Sequence, residues 1–170
     1  MPIPEPSDSD STSRAVVRSR SPEETFALGE MLGQALQPGT VVGLVGPLGA
    51  GKTQFVKGAA TGNAAGGPVD VTSPTFTLIH TYPGRVELHH VDCYRLHDPE
   101  AELDALGLAD LLEGECAVLV EWADRVRALL PETTLWITFT PTGPTERTLR
   151  FEGRSPAAAD LIAHLRSSGC

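Results

Sequence analysis

Apolar positions recur along this chain in two periods, near 3.6 and near 2, and their alternation lays out the elements. Arg14 to Ser19 encloses Ala15-Val16-Val17, a short strand. Ser21-Pro22-Glu23-Glu24 then reads as N-cap, N1 proline and capping-box glutamate, and Phe26, Met31, Leu32 and Ala35 follow on one side at helical spacing. That pattern predicts a helix to about Leu36, stopped by Pro38-Gly39 and packed on a sheet. Thr40 to Val45 is an apolar run bounded by glycine, the mark of a buried strand, and a glycine-rich turn leads from it into a helix reaching about Ala60. Thr61 to Asp70, rich in Gly, Ala and Asn, reads as a mobile loop.

Thr75 to Tyr82 and Val86 to Asp92 flank Pro83-Gly84 and predict a hairpin. Asp98-Pro99 repeats the cap-plus-proline signal for a helix that Gly107 interrupts, and Ala117 to Glu121 is a second buried strand. A short helix through Arg127 ends at Pro131. Thr133 to Thr140 places Leu135, Ile137 and Phe139 on one face, Gly143-Pro144 turns the chain, and Arg147 to Phe151 returns before Ser155-Pro156 caps a last helix. The order predicts an α/β three-layer sandwich whose mixed sheet is parallel at its centre and antiparallel on one side.

Composition narrows the picture. The 170 residues suit one domain, assigned to 14–170, after a Pro-, Ser- and Asp-rich segment over 1–13 that reads as a disordered tail. No apolar run reaches the roughly 18 residues of a membrane span, and no basic-then-apolar leader opens the chain, so the expected location is cytoplasmic. Cys93, Cys116 and Cys170 have no C-x-x-C spacing and read as reduced thiols, structural or incidental. A formal net charge of −9 argues against the chain gripping RNA phosphates by itself. Among 13 basic residues only Lys52 and Lys57 are lysines, so a lysine kept in an arginine-rich chain points to a site that needs one.

Gly46-Pro47-Leu48-Gly49-Ala50-Gly51-Lys52-Thr53 satisfies G-x-x-x-x-G-K-[ST] between an apolar strand and a helix, the context a phosphate-binding loop requires. Glycine lets the backbone wrap so closely that its N–H groups become the ligands, and the helix N-terminus adds partial positive charge. The fold expectation thereby becomes P-loop NTPase-like. Lys52 can reach between the β- and γ-phosphates of ATP as a flexible point charge, and Thr53 can place its hydroxyl on Mg²⁺. Gly46, Leu48, Gly49, Ala50, Gly51 and Gln54 complete the candidate ATP/ADP contacts of the loop.

A P-loop enzyme also needs a carboxylate at the end of a neighbouring strand, and Ala117-Val118-Leu119-Val120-Glu121 supplies one in Glu121, the candidate metal-side acid, with Trp122 beside it to shield or gate the site. Asp92 ends the hairpin strand and could bind metal indirectly, position the attacking water, or pair with Arg95. His89, His90 and Cys93 lack a second ligand cluster, so the histidines read as core or hydrogen-bonded side chains and no zinc is assigned. In Ser73-Pro74-Thr75-Phe76, Thr75 is the candidate γ-phosphate sensor, while a tight strand-entry turn accounts equally for the segment.

Taken together, G-x-L-G-A-G-K-T at 46–53, S-P-T-F at 73–76, H-V-D-C-Y-R-L at 90–96 and V-E-W-A-D at 120–124 resemble, in order and spacing, the TsaE family of tRNA threonylcarbamoyladenosine biosynthesis. The likeness covers roughly Arg14 to Arg150. It implies an ATPase working with the TsaD- and TsaB-like proteins of the threonylcarbamoyl-transferase complex, meeting tRNA only indirectly. By that resemblance Lys52 and Thr53 hold phosphate and Mg²⁺, Glu121 is the metal-binding glutamate, Trp122 its accompanying tryptophan, Asp92 the hairpin aspartate and Thr75 the switch threonine. It also places nucleotide contacts near Thr25 and Arg147. Pro47 departs from the aspartate usual in the family's loop and removes one N–H, which bears on turnover more than on binding.

A P-loop small-molecule kinase is the enzymatic rival, though no arginine-bearing lid segment stands out. A nucleotide-binding scaffold with little turnover is the other. A regulatory GTPase would carry N-K-x-D, which does not occur.

Overall fold

Parallel strands in this chain are buried on both sides, and everything else is arranged around them. The computed structural model describes residues 12–64 and 78–167. Seven strands form one sheet: β1 (Ser13–Ser19), β2 (Val41–Val45), β3 (Ile79–Tyr82), β4 (Leu88–Asp92), β5 (Ala117–Glu121), β6 (Leu135–Pro141) and β7 (Arg147–Gly153), in the order β1-β7-β6-β2-β5-β4-β3. The contiguous pairs β6–β2, β2–β5 and β5–β4 are parallel. Every residue of β5 is buried, whereas β1 and β7 alternate, because only the central strands are covered on both faces.

The parallel centre is as the sequence predicts, but antiparallel pairing occurs at both margins rather than one. Each hairpin inserts its inner strand beside the parallel centre, β4 along β5 and β6 along β2, and these are opposite edges. A hairpin's own sequence encodes its turn and register but not which edge it joins.

Helices α1 (Pro22–Ala35), α2 (Lys52–Asn63) and α5 (Pro156–Ser167) cover one face through Leu32, Phe55, Val56, Ile162 and Leu165. Helices α3 (Pro99–Ala105) and α4 (Leu108–Glu113), with a 3-10 segment at Ala123–Leu129, cover the other through Leu103, Leu108 and Val126. The predicted caps form. Ser21 accepts from the Glu24 N–H at 3.1 Å, and the Glu24 carboxylate reaches back to the N–H of Arg20, one residue before the cap. Asp98 and Ser155 cap α3 and α5 by accepting from Ala101 and Ala158, and Gly107 separates α3 from α4 in a left-handed conformation.

Helix α2 outruns its prediction, continuing through Thr61, Gly62 and Asn63 into the segment read as a loop. Local propensity is poor there, and tertiary contacts override it. Both ends of the buried Asn63 amide engage Val86, donating to its carbonyl at 2.7 Å and accepting from its N–H at 3.2 Å. Residues 65–70 of that predicted loop, the start of the predicted strand at Thr75, and Ser73 and Thr75 themselves lie outside the described residues, as does Cys170.

Helices α1 and α2 touch backbone to backbone. A Cβ on Gly29 would lie 2.1 Å from the Phe55 carbonyl oxygen, and one on Gly33 2.1 Å from that of Ala59. The contact is reciprocal: a Cβ on Gly58 would lie 2.0 Å from the Phe26 carbonyl oxygen, and one on Gly62 2.1 Å from that of Glu30. One turn beyond Lys52, Phe55 is fully buried and meets Phe139 edge to face at 5.7 Å, seating the start of α2 on β6.

Candidate nucleotide site

Strands β2, β4 and β5 run the same way, so their C-terminal ends deliver Gly46, Asp92 and Glu121 to one edge of the sheet, the edge at which open α/β sheets bind ligands. Register sets the acids side by side, with Glu121 opposite Leu44 on one flank and Asp92 on the other. A cleft of about 560 Å³ opens there, lined by the loop from Leu48 to Gln54, by Asp92, Glu121 and Trp122, and by Arg147.

The loop has the conformation its glycines permit. Gly49 and Gly51 take φ of 77° and 104°, where a Cβ is strained, and a Cβ on Gly51 would also meet the Arg147 guanidinium at 2.6 Å. Gly51 precedes the first residue of α2, so the helix's unpaired N–H groups face the cleft. Lys52 is 4% exposed; its Nζ donates to the carbonyls of Gly46 at 2.6 Å and Pro47 at 2.9 Å, and lies 4.2 Å from the centre of the Trp122 ring. Burial lowers its pKa, an effect opposed by Glu121, Asp92 and Asp124.

Thr53 Oγ1 donates to the Glu121 carboxylate at 3.0 and 3.3 Å, and His90 Nε2 lies 2.9 Å from Glu121 Oε1. A hydroxyl and a carboxylate held together are hard oxygen donors of the kind Mg²⁺ takes. Asp92 accepts from the Tyr94 N–H at 3.0 Å. Burial raises its pKa and neighbouring Glu121 adds to the rise, against the Tyr94 hydrogen bond, His90 and Lys52. Arg95 is exposed on the cleft wall, with no hydrogen bond or ion pair to Asp92.

Trp122 has φ 57° and ψ 39°, the left-handed region that disfavours any side chain and costs about 1–2 kcal/mol. This turn brings the indole over Lys52, and Tyr94 stacks on its ring at 4.9 Å. Arg125 fixes the Tyr94 loop by donating to the carbonyls of Cys93, Tyr94 and Leu96 at 2.5, 2.8 and 2.6 Å. Neither Tyr94 nor Arg125 is among the sequence-derived candidates, and an arginine in an arginine-rich chain gives no signal of such a role.

Of the two contacts expected at the base side, Arg147 lines the cleft and Thr25 does not. Thr25 is fully buried behind it, hydrogen-bonded to Ser19 Oγ at 2.7 Å and accepting from Arg147 Nη1 at 3.2 Å. It supports the arginine instead of facing a ligand. The hydrogen-bonded reading of the histidines holds: His90 meets Glu121, and His89 lies 2.9 Å from Glu87 and 3.0 Å from Thr81. Burial pushes the Cys93 thiol up to about 12, leaving it a neutral packing group at physiological pH.

The family model for threonylcarbamoyl adenosine biosynthesis protein TsaE matches residues 19–149. The tRNA threonylcarbamoyladenosine biosynthesis protein TsaE of Treponema pallidum is 44% identical over 119 residues, covering 70% of this chain and 86% of that one. The protein of the same name from Bacillus subtilis is 42% identical over 135 residues, covering 79% and 82%. The crystal structure of Bacillus subtilis YdiB superposes with a TM-score of 0.78 at 32% identity, covering 94% of this chain and 99% of that one. The glycine loop, the strand-end acids and these likenesses agree with the resemblance drawn from four motifs: the chain belongs to the TsaE family.

Proposed function

We propose that this protein binds ATP with Mg²⁺ and hydrolyses it in support of threonylcarbamoyladenosine formation in tRNA. The observation that carries the reading is the convergence of Lys52, Thr53, Glu121 and Asp92 around a helix N-terminus in one cleft. The residues fit a magnesium nucleotide: the N–H groups of Leu48, Gly49, Gly51, Lys52 and Thr53 suit phosphate oxygens, and Lys52 needs only to exchange two carbonyls for them. Thr53 and Glu121 would hold the metal, directly or through its water. Bound there, Mg²⁺ would neutralise charge on the β- and γ-phosphates.

Asp92, half-buried and raised in pKa, is placed to orient the attacking water and accept its proton. Trp122 covers Lys52 and keeps bulk water from the ammonium. Pro47 gives the loop no N–H at its second position. Its carbonyl instead accepts from Ala50 N–H and Lys52, an arrangement that suits binding and slow turnover in isolation. The net charge of −9 favours docking on TsaD- and TsaB-like protein partners in the cytoplasm over carrying the RNA directly.

Depleting the protein in its native cell and quantifying threonylcarbamoyladenosine in digested tRNA by mass spectrometry tests this reading. The nucleoside should fall severalfold; an unchanged level would reject the role in tRNA modification.

A further inference from the structure

His90 is fully buried, and its two ring nitrogens have unequal surroundings. Nε2 sits 2.9 Å from Glu121 Oε1, while Nδ1 is buried with no hydrogen-bond partner among the described residues. Glu121 is itself 3% exposed and takes the Thr53 hydroxyl at the same oxygen. An ionised carboxylate only accepts, so the nitrogen facing it must carry hydrogen. A second hydrogen, on Nδ1, would be a buried donor facing no acceptor among the described residues. The hydrogen-bond partner the ring meets among the described residues is thus Glu121, through Nε2.

We infer that His90 is the positioning residue for the metal-side carboxylate: its Nε2–H fixes Glu121 in the rotamer that meets Thr53. This rests on the magnesium reading above. Without that donor the side-chain hydrogen bonds Glu121 retains among the described residues come from Thr53, a hydroxyl that a cation would claim as well. The pairing is built into the sheet, because His90 and Asp92 share one face of β4, and Asp92 stands beside Glu121 in the parallel register. Outer partners of this kind commonly contribute 10- to 100-fold in metal affinity.

The test compares wild type, His90→Leu and His90→Gln, the last of which can present an amide N–H near the position of Nε2. Binding of ADP is followed by calorimetry in EDTA and across a Mg²⁺ titration, with circular dichroism confirming the fold. His90→Leu should bind metal-free ADP as wild type does and need about 10-fold more Mg²⁺ for its metal-dependent gain. His90→Gln should restore most of that gain. A folded His90→Leu with an unshifted Mg²⁺ requirement overturns the inference, as does a His90→Gln no better than leucine. Should the leucine variant not fold, nitrogen NMR of ¹⁵N-histidine wild type decides: an Nε2 without hydrogen overturns the proposal and an Nε2 that carries one supports it. If wild-type binding shows no Mg²⁺ dependence, the magnesium reading itself fails, which is a separate outcome.

Discussion

Replacing Lys52 with alanine should weaken ADP binding on the order of a hundredfold, measured by calorimetry, while leaving the fold intact. Hydrogen bonds to charged groups contribute about 1.5–3 kcal/mol each, and each 1.4 kcal/mol is tenfold in affinity. An ammonium reaching two phosphate oxygens therefore accounts for about 3 kcal/mol. The fold should survive because the carbonyls that Lys52 engages, on Gly46 and Pro47, belong to partly or fully exposed loop residues that water can reach. Burial lowers the pKa of Lys52, so the ammonium is held where folding alone would not favour a charge. Arginine should not substitute, since a planar fork does not fit the 4%-exposed slot between the loop and the Trp122 ring. Equal binding by wild type and Lys52→Ala would show that the loop is only a connection between strand and helix.

Gly58→Ala should lower stability by about 2–3 kcal/mol, although the same change at an exposed helical position gains up to about 1 kcal/mol. A Cβ there would lie 2.0 Å from the Phe26 carbonyl oxygen and 2.9 Å from the Glu30 nitrogen, both backbone atoms that no rotamer change can move. Helices α1 and α2 would have to separate, losing contact along both Gly29/Gly33 and Gly58/Gly62. For a domain of this length the loss corresponds to a fall of roughly 4–12 °C in melting temperature, read by circular dichroism. An unchanged or raised value would refute the close packing.

These two predictions differ in how readily the sequence discloses them. The Lys52 loop announces itself because phosphate binding needs glycine and lysine at fixed spacing, and the strand ending at Glu121 is marked by an apolar run that stops at an acid, while the strand ending at Asp92 is marked by the Pro83-Gly84 turn before it. Helix starts are equally plain at Ser21-Pro22, Asp98-Pro99 and Ser155-Pro156, where capping is local chemistry. The glycine pairs carry a signal too, an i, i+4 spacing on each helix, but a helix reads there as merely weakened until its neighbour is known.

The same limit applies wherever two distant segments decide the outcome. Asn63 extends α2 while paired with Val86, and Thr25 sits back from the cleft, bonded to Ser19 and to Arg147, which reaches over it. His90 reads as a hydrogen-bonded histidine, but its partner is 31 residues away on another strand. The choice of sheet edge by each hairpin belongs to this class, since nothing within β3–β4 or β6–β7 specifies the outer neighbour.

The chain has two tryptophans, and they stand in unlike places. Trp136 is stacked beneath Arg127 at 3.9 Å beside a separate groove, while Trp122 sits between Tyr94 and the ammonium of Lys52. If a phosphate draws that ammonium away, as the proposed function requires, only one of the two indoles loses a charged neighbour. The protein should therefore signal occupancy through a change in its own ultraviolet emission, with Trp136 as a steady internal reference and no attached dye.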